Sequence, residues 1–181
     1  DNGNRELVKT VKITGFDTDS RVIGSALEEL QTGIFKMLGL RPMVTDEEGN
    51  GIAIQKDAML QAESYCLEGN ENGILLKALD EKGVLYGIFH ILRTISMEKA
   101  LRDVSVVCNP DNPLRMYNHW DNMDGSIERG YSGNSFYFEN GDIIITERIR
   151  DYARLIASVG INGVVINNVN VKDDATWLIT K

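Results

Sequence analysis

The chain is poor in basic residues, cysteine, histidine, proline and tryptophan, and each shortage narrows what it can be. Lysine and arginine number 19 against 27 acids in 181 residues, a net charge of −8. Nucleic acids and anionic membrane surfaces are bound by concentrated Lys and Arg, so neither is expected as a partner. An acidic small molecule would need a pocket with local positive charge. The two cysteines, Cys66 and Cys108, show no C-x-x-C spacing and join no His cluster, so no structural zinc or other metal site is expected. Each lies in a strand-like run, SYCLEG and VSVVCNP, which predicts two buried free thiols. A disulfide stays open, because a sequence carries none of the geometry it requires. No apolar run reaches the roughly 18 residues of a membrane span. G-x-S-x-G, P-loop and H-E-x-x-H signatures are absent, and no Gly-rich dinucleotide fingerprint follows the first strand. No signal peptide opens the chain. The polar start DNGNREL reads as a mature or trimmed end, the pattern of a periplasmic or secreted protein.

What is present suits a globular chain. Hydrophobic residues make up 43% and charged residues 25%, enough for a real core in one domain, or in one domain plus a piece of another. ELVKTVKIT (6–14) alternates as a strand. Asp19 or Ser20 can cap a helix striped by Ile23, Leu27, Leu30, Ile34 and Leu38, which Gly39 and Pro42 stop. GIAIQK (51–56) is a short strand. YCLEG and ILLKAL flank the turn-rich NENG as a hairpin. KGVLYGIFHILRTISM (82–97) is an apolar helix in which Gly83 and Gly87, four apart, allow a strand to approach closely. His90, among apolar neighbours, reads as a structural histidine. DVSVVCN (103–109) is a further strand. The order predicts a sheet with two helices on one face, a compact α/β or α+β unit.

NPDNP (109–113) holds two of the three prolines and marks a boundary. Beyond it the grammar changes. LRMYNHW is strand-like, and ENGD between SFYF and DIII signals a tight hairpin. Residues 146–160 form an amphipathic helix capped by Thr146, with Ile149, Tyr152, Ala153, Ile156 and Val159 as its buried stripe. INGVVINN has the continuous apolar centre of a strand covered on both faces. DDATWLI begins a second helix. The tail thus reads β–loop–α–β–α, the opening of a repeating β/α architecture.

In such an architecture function gathers where strands run into loops. NHWDN (118–122) and NNVN (167–170) occupy those places. Asn side chains donate and accept, which suits sugar hydroxyls, and Trp120 offers a flat apolar face for a pyranose. Asn, Asp and Gly are equally ordinary turn formers, so chemistry alone leaves a sugar pocket and a structured loop both open. Asp121, Asp124 and Glu128 could act as acids or bases, or simply be solvated. Arg115 and Arg129 could bind an anion or form structural salt bridges.

RMYNHWDNMDGSIERGYSGNSFYF, followed by RIRDYARLIASVGINGVVINNVN, resembles the family 67 glycoside hydrolases, the α-glucuronidases of xylan breakdown. SYCLEG, ILLKAL and KGVLYGIFHILRTI resemble the accessory N-terminal domain that precedes the barrel in several glycosidase families. The resemblance implies an α/β fold: an accessory N-terminal α+β sandwich (sheet with helices on one face) over residues 1–110, then the first elements of a catalytic (β/α)8 TIM barrel over 111–181. It implies removal of α-1,2-linked glucuronic acid, or its 4-O-methyl ether, from the terminal xylose of xylan-derived aldouronic oligosaccharides, by an inverting mechanism that needs no metal or nucleotide cofactor. The family's catalytic acids and uronate-binding basic residues lie on later barrel strands, so no catalytic residue is expected in this chain, and it is expected to be inactive alone. Trp120 matches the tryptophan packed near the O4 methyl, and Val169 adds to that apolar patch. His119, Asp121 and Asn170 are the candidates for polar contacts or for supporting them. The resemblance allows a homodimer for the full-length enzyme, and relatives occur both inside cells and beyond the inner membrane. Two rival expectations are a non-catalytic carbohydrate-binding or interaction module and another glycosidase sharing the accessory domain. Against the module, residues 1–109 hold two tyrosines and no tryptophan, a poor stacking surface.

Overall fold

The computed structural model describes residues 3–47 and 49–166. The chain divides into two compact units that meet between Asp111 and Asn112.

The first unit runs α1 (Asn4–Leu7), β1 (Thr10–Thr14), α2 (Arg21–Leu38), β2 (Met43–Val44), β3 (Gly51–Lys56), β4 (Tyr65–Asn70), β5 (Gly73–Ala78), α3 (Glu81–Ser96), a 3-10 turn (Leu101–Asp103) and β6 (Ser105–Cys108). Its six strands form one sheet in the order β2-β1-β3-β5-β4-β6. Pairing is parallel from β2 to β5 and antiparallel where β4 and β6 join. The register explains the single core. Val11 pairs Ile52, Ile52 pairs Ile74, Ile54 pairs Leu76, and Leu76 pairs Leu67. Side chains alternate along a strand, so these partners share one face. That face joins Ile23, Leu30 and Ile34 of α2 with Val84, Ile88 and Ile91 of α3 in one buried cluster. The other face carries Lys12, Gln55, Glu68 and Lys77. This is a mixed α/β unit with a mostly parallel sheet and both long helices on one side.

Local chemistry sets the helix ends. Ser20, in extended geometry, caps α2 by accepting from Val22 N, and Gly39 ends it in the left-handed region. Asp80 caps α3 through Gly83 N and also accepts from Glu63 N, which ties the helix start to the entry of β4. Two glycines let α3 lie against the sheet. A Cβ on Gly83 would come 2.3 Å from Ser64 O, and one on Gly87 would come 2.3 Å from Leu76 Cδ1. His90 is satisfied by the Tyr65 hydroxyl, 2.9 Å from Nδ1, as a structural histidine should be.

Several expectations change here. Residues 6 and 7 are helical, not strand. Leu7 and Val8 are both buried, which a strand with one core face cannot do, and the Asn4 side chain bonds Lys99 O and Leu101 N. The two-residue β2 went unread because Met43 and Val44 form an exposed edge. The cysteines are free, as expected, but neither is buried. Tyr65 pairs Cys108 while Cys66 pairs Val107, so the two thiols sit on opposite faces of the sheet and cannot join to each other. Among the described residues no helix is long and apolar enough to cross a membrane.

The second unit contains β7 (Met116–His119), a long loop, the hairpin β8 (Phe138–Glu139) and β9 (Asp142–Ile143), α4 (Glu147–Ser158) and β10 (Gly163–Ile166). β10 lies parallel to β7, with Gly163 opposite Met116 and Ile166 opposite His119. The hairpin turns at Asn140 and Gly141, both at positive φ, as an Asn-Gly turn requires. Thr146 caps α4 through Ile149 N. Of the expected stripe, Ile149 is buried and Tyr152 and Ile156 are half-buried, whereas Ala153 and Val159 are exposed. Val165 and Ile166 are exposed too, so β10 is not covered on both faces. Within the described residues this unit offers only a two-stranded parallel sheet to cover these side chains. The expected second helix, DDATWLI, lies outside the described residues.

Candidate functional site

The candidate site begins where β7 ends. Alternation along β7 divides NHWDN between two faces. Tyr117 and His119 face α4: their rings lie 6.1 and 5.0 Å from that of Tyr152, and Val164 of β10 packs into the same cluster with Tyr137, Phe138 and Ile149. Met116 and Asn118 therefore take the opposite, bare face. Met116 lies over Gly163, its Cε 3.0 Å from where a glycine Cβ would stand. Asn118 has Val165 as its neighbour across the pair. One residue past the strand, Trp120 falls by the same alternation on the side of Asn118. It is 46% exposed and takes no part in the ring contacts of the helix side.

The helix side is a built network. His119 Nε2 lies 2.6 Å from the Tyr152 hydroxyl, and its ring stacks on Phe136, over which Arg148 sits 4.5 Å from the ring centroid. Burial pushes the His119 pKa below the ordinary imidazole value, against the opposing pull of Asp121. The Asp121 carboxylate is 1% exposed. Its Oδ2 accepts from the Ser135 hydroxyl and from Phe136 N and Tyr137 N, while Oδ1 faces His119 Nδ1 at 3.8 Å. One buried carboxylate thus gathers the far end of the loop, residues 135–137, against the end of β7. Burial first, and the Asp121 charge second, push the Tyr137 hydroxyl pKa upward.

The rest of the loop closes on itself. Asn122 Nδ2 donates to Ser126 Oγ and to Glu128 O, and Glu128 N donates to Trp120 O at 2.7 Å. Asp124 Oδ1 accepts from Ser126 N and Oγ, an Asx turn. Glu128, at positive φ, accepts from Ser132 Oγ. Arg115 resolves as structural: Nε donates to Gly160 O and Nη1 to Asn112 O, tying the end of α4 to the start of β7. Arg129 is exposed. Among the described residues no group of three His, Cys, Asp or Glu is arranged to hold a metal ion.

Of the five residues singled out from the sequence, Trp120 is exposed on the bare side. His119 and Asp121 are turned toward α4 and the loop, where they support the site's frame and present nothing to the bare side. Val169 and Asn170 lie outside the described residues. Asn118, within the NHWDN stretch but not among those five, shares the side of Trp120 by the period-two alternation of MYNHW. A groove of about 530 Å³ in the first unit is lined by Arg93, Met97, Lys99, Asp103 and Val106 among others. It offers no Trp, Tyr or Phe ring on which a sugar could stack.

Residues 94–181 match the glycosyl hydrolase family 67 middle domain. A probable α-glucuronidase A from Aspergillus oryzae is 37% identical over 93% of this chain and 22% of its own length. Its counterpart in Aspergillus terreus is 36% identical over 84% of this chain and 20% of its own length. The chain therefore spans about a fifth of the curated relatives it matches. Solved structures share the fold at low identity. A family GH115 4-O-methyl-α-glucuronidase superposes with TM-score 0.60 at 15% identity, over 87% of this chain and 25% of its own. A GH20 exo-β-N-acetylglucosaminidase from Vibrio harveyi does so with TM-score 0.57 at 12% identity, over 88% and 22%. With a family 67 domain matched from the last turn of α3 onward and α-glucuronidase relatives across most of its length, the chain belongs to glycoside hydrolase family 67.

Proposed function

We propose that the complete protein is an inverting α-glucuronidase that frees glucuronic acid, or its 4-O-methyl ether, from the α-1,2 bond to xylose in xylan-derived oligosaccharides. What carries this reading is the 37% identity to a probable α-glucuronidase over 93% of the chain. On this reading the first unit is the accessory domain, and the second holds the first strands of a (β/α)8 barrel, whose loops at the C-terminal strand ends form the sugar pocket. β7 and β10 would be neighbouring staves, with their bare face turned inward. Trp120 would then stand at the rim, its ring against the sugar near the O4 methyl, and Val169 would extend that apolar patch. Asn170 would add a polar contact, while His119 and Asp121 hold the frame beneath. Inversion needs an acid and a base about 6.5–9.5 Å apart. Asp121, buried and held by three loop donors, faces away from the bare side, so on this reading the reacting carboxylates belong to other barrel strands. No metal or nucleotide enters the reaction.

The test is hydrolysis of aldouronic acids with and without the 4-O-methyl group. The complete enzyme is expected to cleave both, and the 181-residue chain neither. Trp120→Ala in the complete enzyme should weaken the methylated substrate more, since a buried methyl-sized contact contributes on the order of 1 kcal/mol. Equal losses on both substrates would refute the assignment at O4, and turnover by the 181-residue chain would refute the division of labour.

A further inference from the structure

The bare face of the β7–β10 pair is layered. At its foot Met116 covers Gly163, and at its crown stands Trp120. Between them lies Asn118, flanked by Val165. Asn118 is exposed, and its carboxamide meets no hydrogen-bonding partner among the described residues. The neighbouring polar side chains turn inward: His119 bonds Tyr152, Asp121 accepts from three donors, and Asn122 donates to Ser126 and Glu128 while its buried Oδ1 has no partner among the described residues. Of these four, Asn118 is the exposed one, and the alternation of the strand puts its donor and acceptor on the side of Trp120. A carboxamide between two apolar neighbours is costly once it is covered and unpaired. A sugar hydroxyl, itself donor and acceptor, supplies both missing bonds.

We propose that Asn118 is a substrate-binding residue whose carboxamide hydrogen-bonds a ring hydroxyl of the uronic acid, one layer below the contact made by Trp120. This rests on the α-glucuronidase reading above. Two residues along a strand span roughly 6.6 Å, about the breadth of a pyranose. A ring resting on Trp120 therefore brings O2 or O3 within reach of Asn118. Specificity built this way penalises a substrate that lacks the hydroxyl, because the carboxamide is then left unpaired.

The experiment uses the complete enzyme with aldouronic substrates whose glucuronic acid is intact, 2-deoxy or 3-deoxy. In the wild type one of the deoxy substrates is expected to lose about tenfold or more in kcat/KM. Asn118→Ala should lose about tenfold on the intact substrate and lose nothing further on that deoxy substrate, with its unfolding midpoint unchanged. Asn118→Asp keeps the shape and the acceptor but removes the N–H donors, and should lose activity in the same pattern. Wild-type kcat/KM in Asn118→Ala, or unaltered discrimination against both deoxy sugars, overturns the proposal and leaves the functional reading intact. A lowered unfolding midpoint in both variants overturns it in favour of a packing role. A wild-type enzyme inert on every aldouronic acid overturns the functional reading, and this proposal with it.

Discussion

Replacing Asp121 by alanine should release the loop that carries Trp120 while leaving the first unit untouched. The carboxylate accepts from one hydroxyl and two backbone N–H groups, and its removal leaves the Ser135 hydroxyl and Phe136 N without this acceptor and Tyr137 N with Ser135 Oγ alone. Hydrogen bonds to a charged group are worth about 1.5–3 kcal/mol each, and an orphaned buried donor costs about 1–3 kcal/mol. Tyr137 is buried, but Ser135 and Phe136 are only half-buried, so water can reach part of what is lost. About 3 kcal/mol is a fair total, roughly a hundredfold in a local opening equilibrium. Hydrogen–deuterium exchange reads this directly. The amides of Phe136 and Tyr137 should exchange about a hundredfold faster in Asp121→Ala, whereas those of β3 and β5 keep their rates. Ser135→Ala removes the hydroxyl bond to Asp121 and the acceptor of Phe138 N, and should cost less than the loss of Asp121, about 1–2 kcal/mol or roughly five- to thirtyfold. Asp121→Ala amides that exchange as in the wild type would refute the idea that this carboxylate holds the loop.

Two further outcomes follow from the first unit and the histidines. Gly83→Ala should destabilise more than Gly87→Ala in urea unfolding, by about 2–3 kcal/mol against about 1, because the new methyl meets the immovable Ser64 carbonyl in one case and the rotatable Leu76 side chain in the other. The roughly 1 kcal/mol by which alanine favours a helix over glycine offsets part of each loss, and a reversed ranking would refute the close-approach account. Burial lowers the pKa of both His90 and His119, so the unfolded chain takes up their protons first as pH falls. Their contribution to stability is whole above about pH 6.5 and declines as pH drops below that value toward their folded pKa values. The unfolding midpoint should therefore fall between pH 6.5 and 5.5, and changing both histidines to glutamine should flatten that slope; a slope that persists assigns it to carboxylates.

Much of the first unit was legible because its period and its caps agree. Ile23, Leu30 and Ile34 of the expected α2 stripe are buried with Leu27 and Leu38 packed beside them, the Gly83–Gly87 pair does admit the sheet, and NENG does turn a hairpin. What escaped depended on partners distant in sequence. Asn4 is drawn into a helical turn by Lys99 and Leu101, more than ninety residues away, and no local pattern announces that. β2 exists only because β1 offers it an edge. The cysteines were misjudged because a strand-like run does not say which face, or which edge, a thiol will occupy. In the second unit, turns, cap and strand order were all visible. Burial was not, since an apolar run such as VVI is equally compatible with one covered face and with two.

The segment NHWDN shows why residue type alone left sugar pocket and structured loop undecided. On the proposed reading both descriptions hold, for alternate residues. His119 and Asp121 point to α4 and the loop, where a ring stack and a buried carboxylate with three donors fix the backbone. Asn118 and Trp120, on the other side, inherit that rigidity without spending a side chain on it. A strand end is well suited to this division, because alternation places supporting and contacting groups one residue apart while the shared backbone couples them. The consequence separates the two sets experimentally. Substitutions at His119 and Asp121 should lower activity only in proportion to the loop protection they remove, whereas those at Asn118 and Trp120 should change substrate discrimination while exchange rates stay at their wild-type values. Were all four to shift activity and protection together, the alternation would carry no functional meaning, and the loop would be a single structural element.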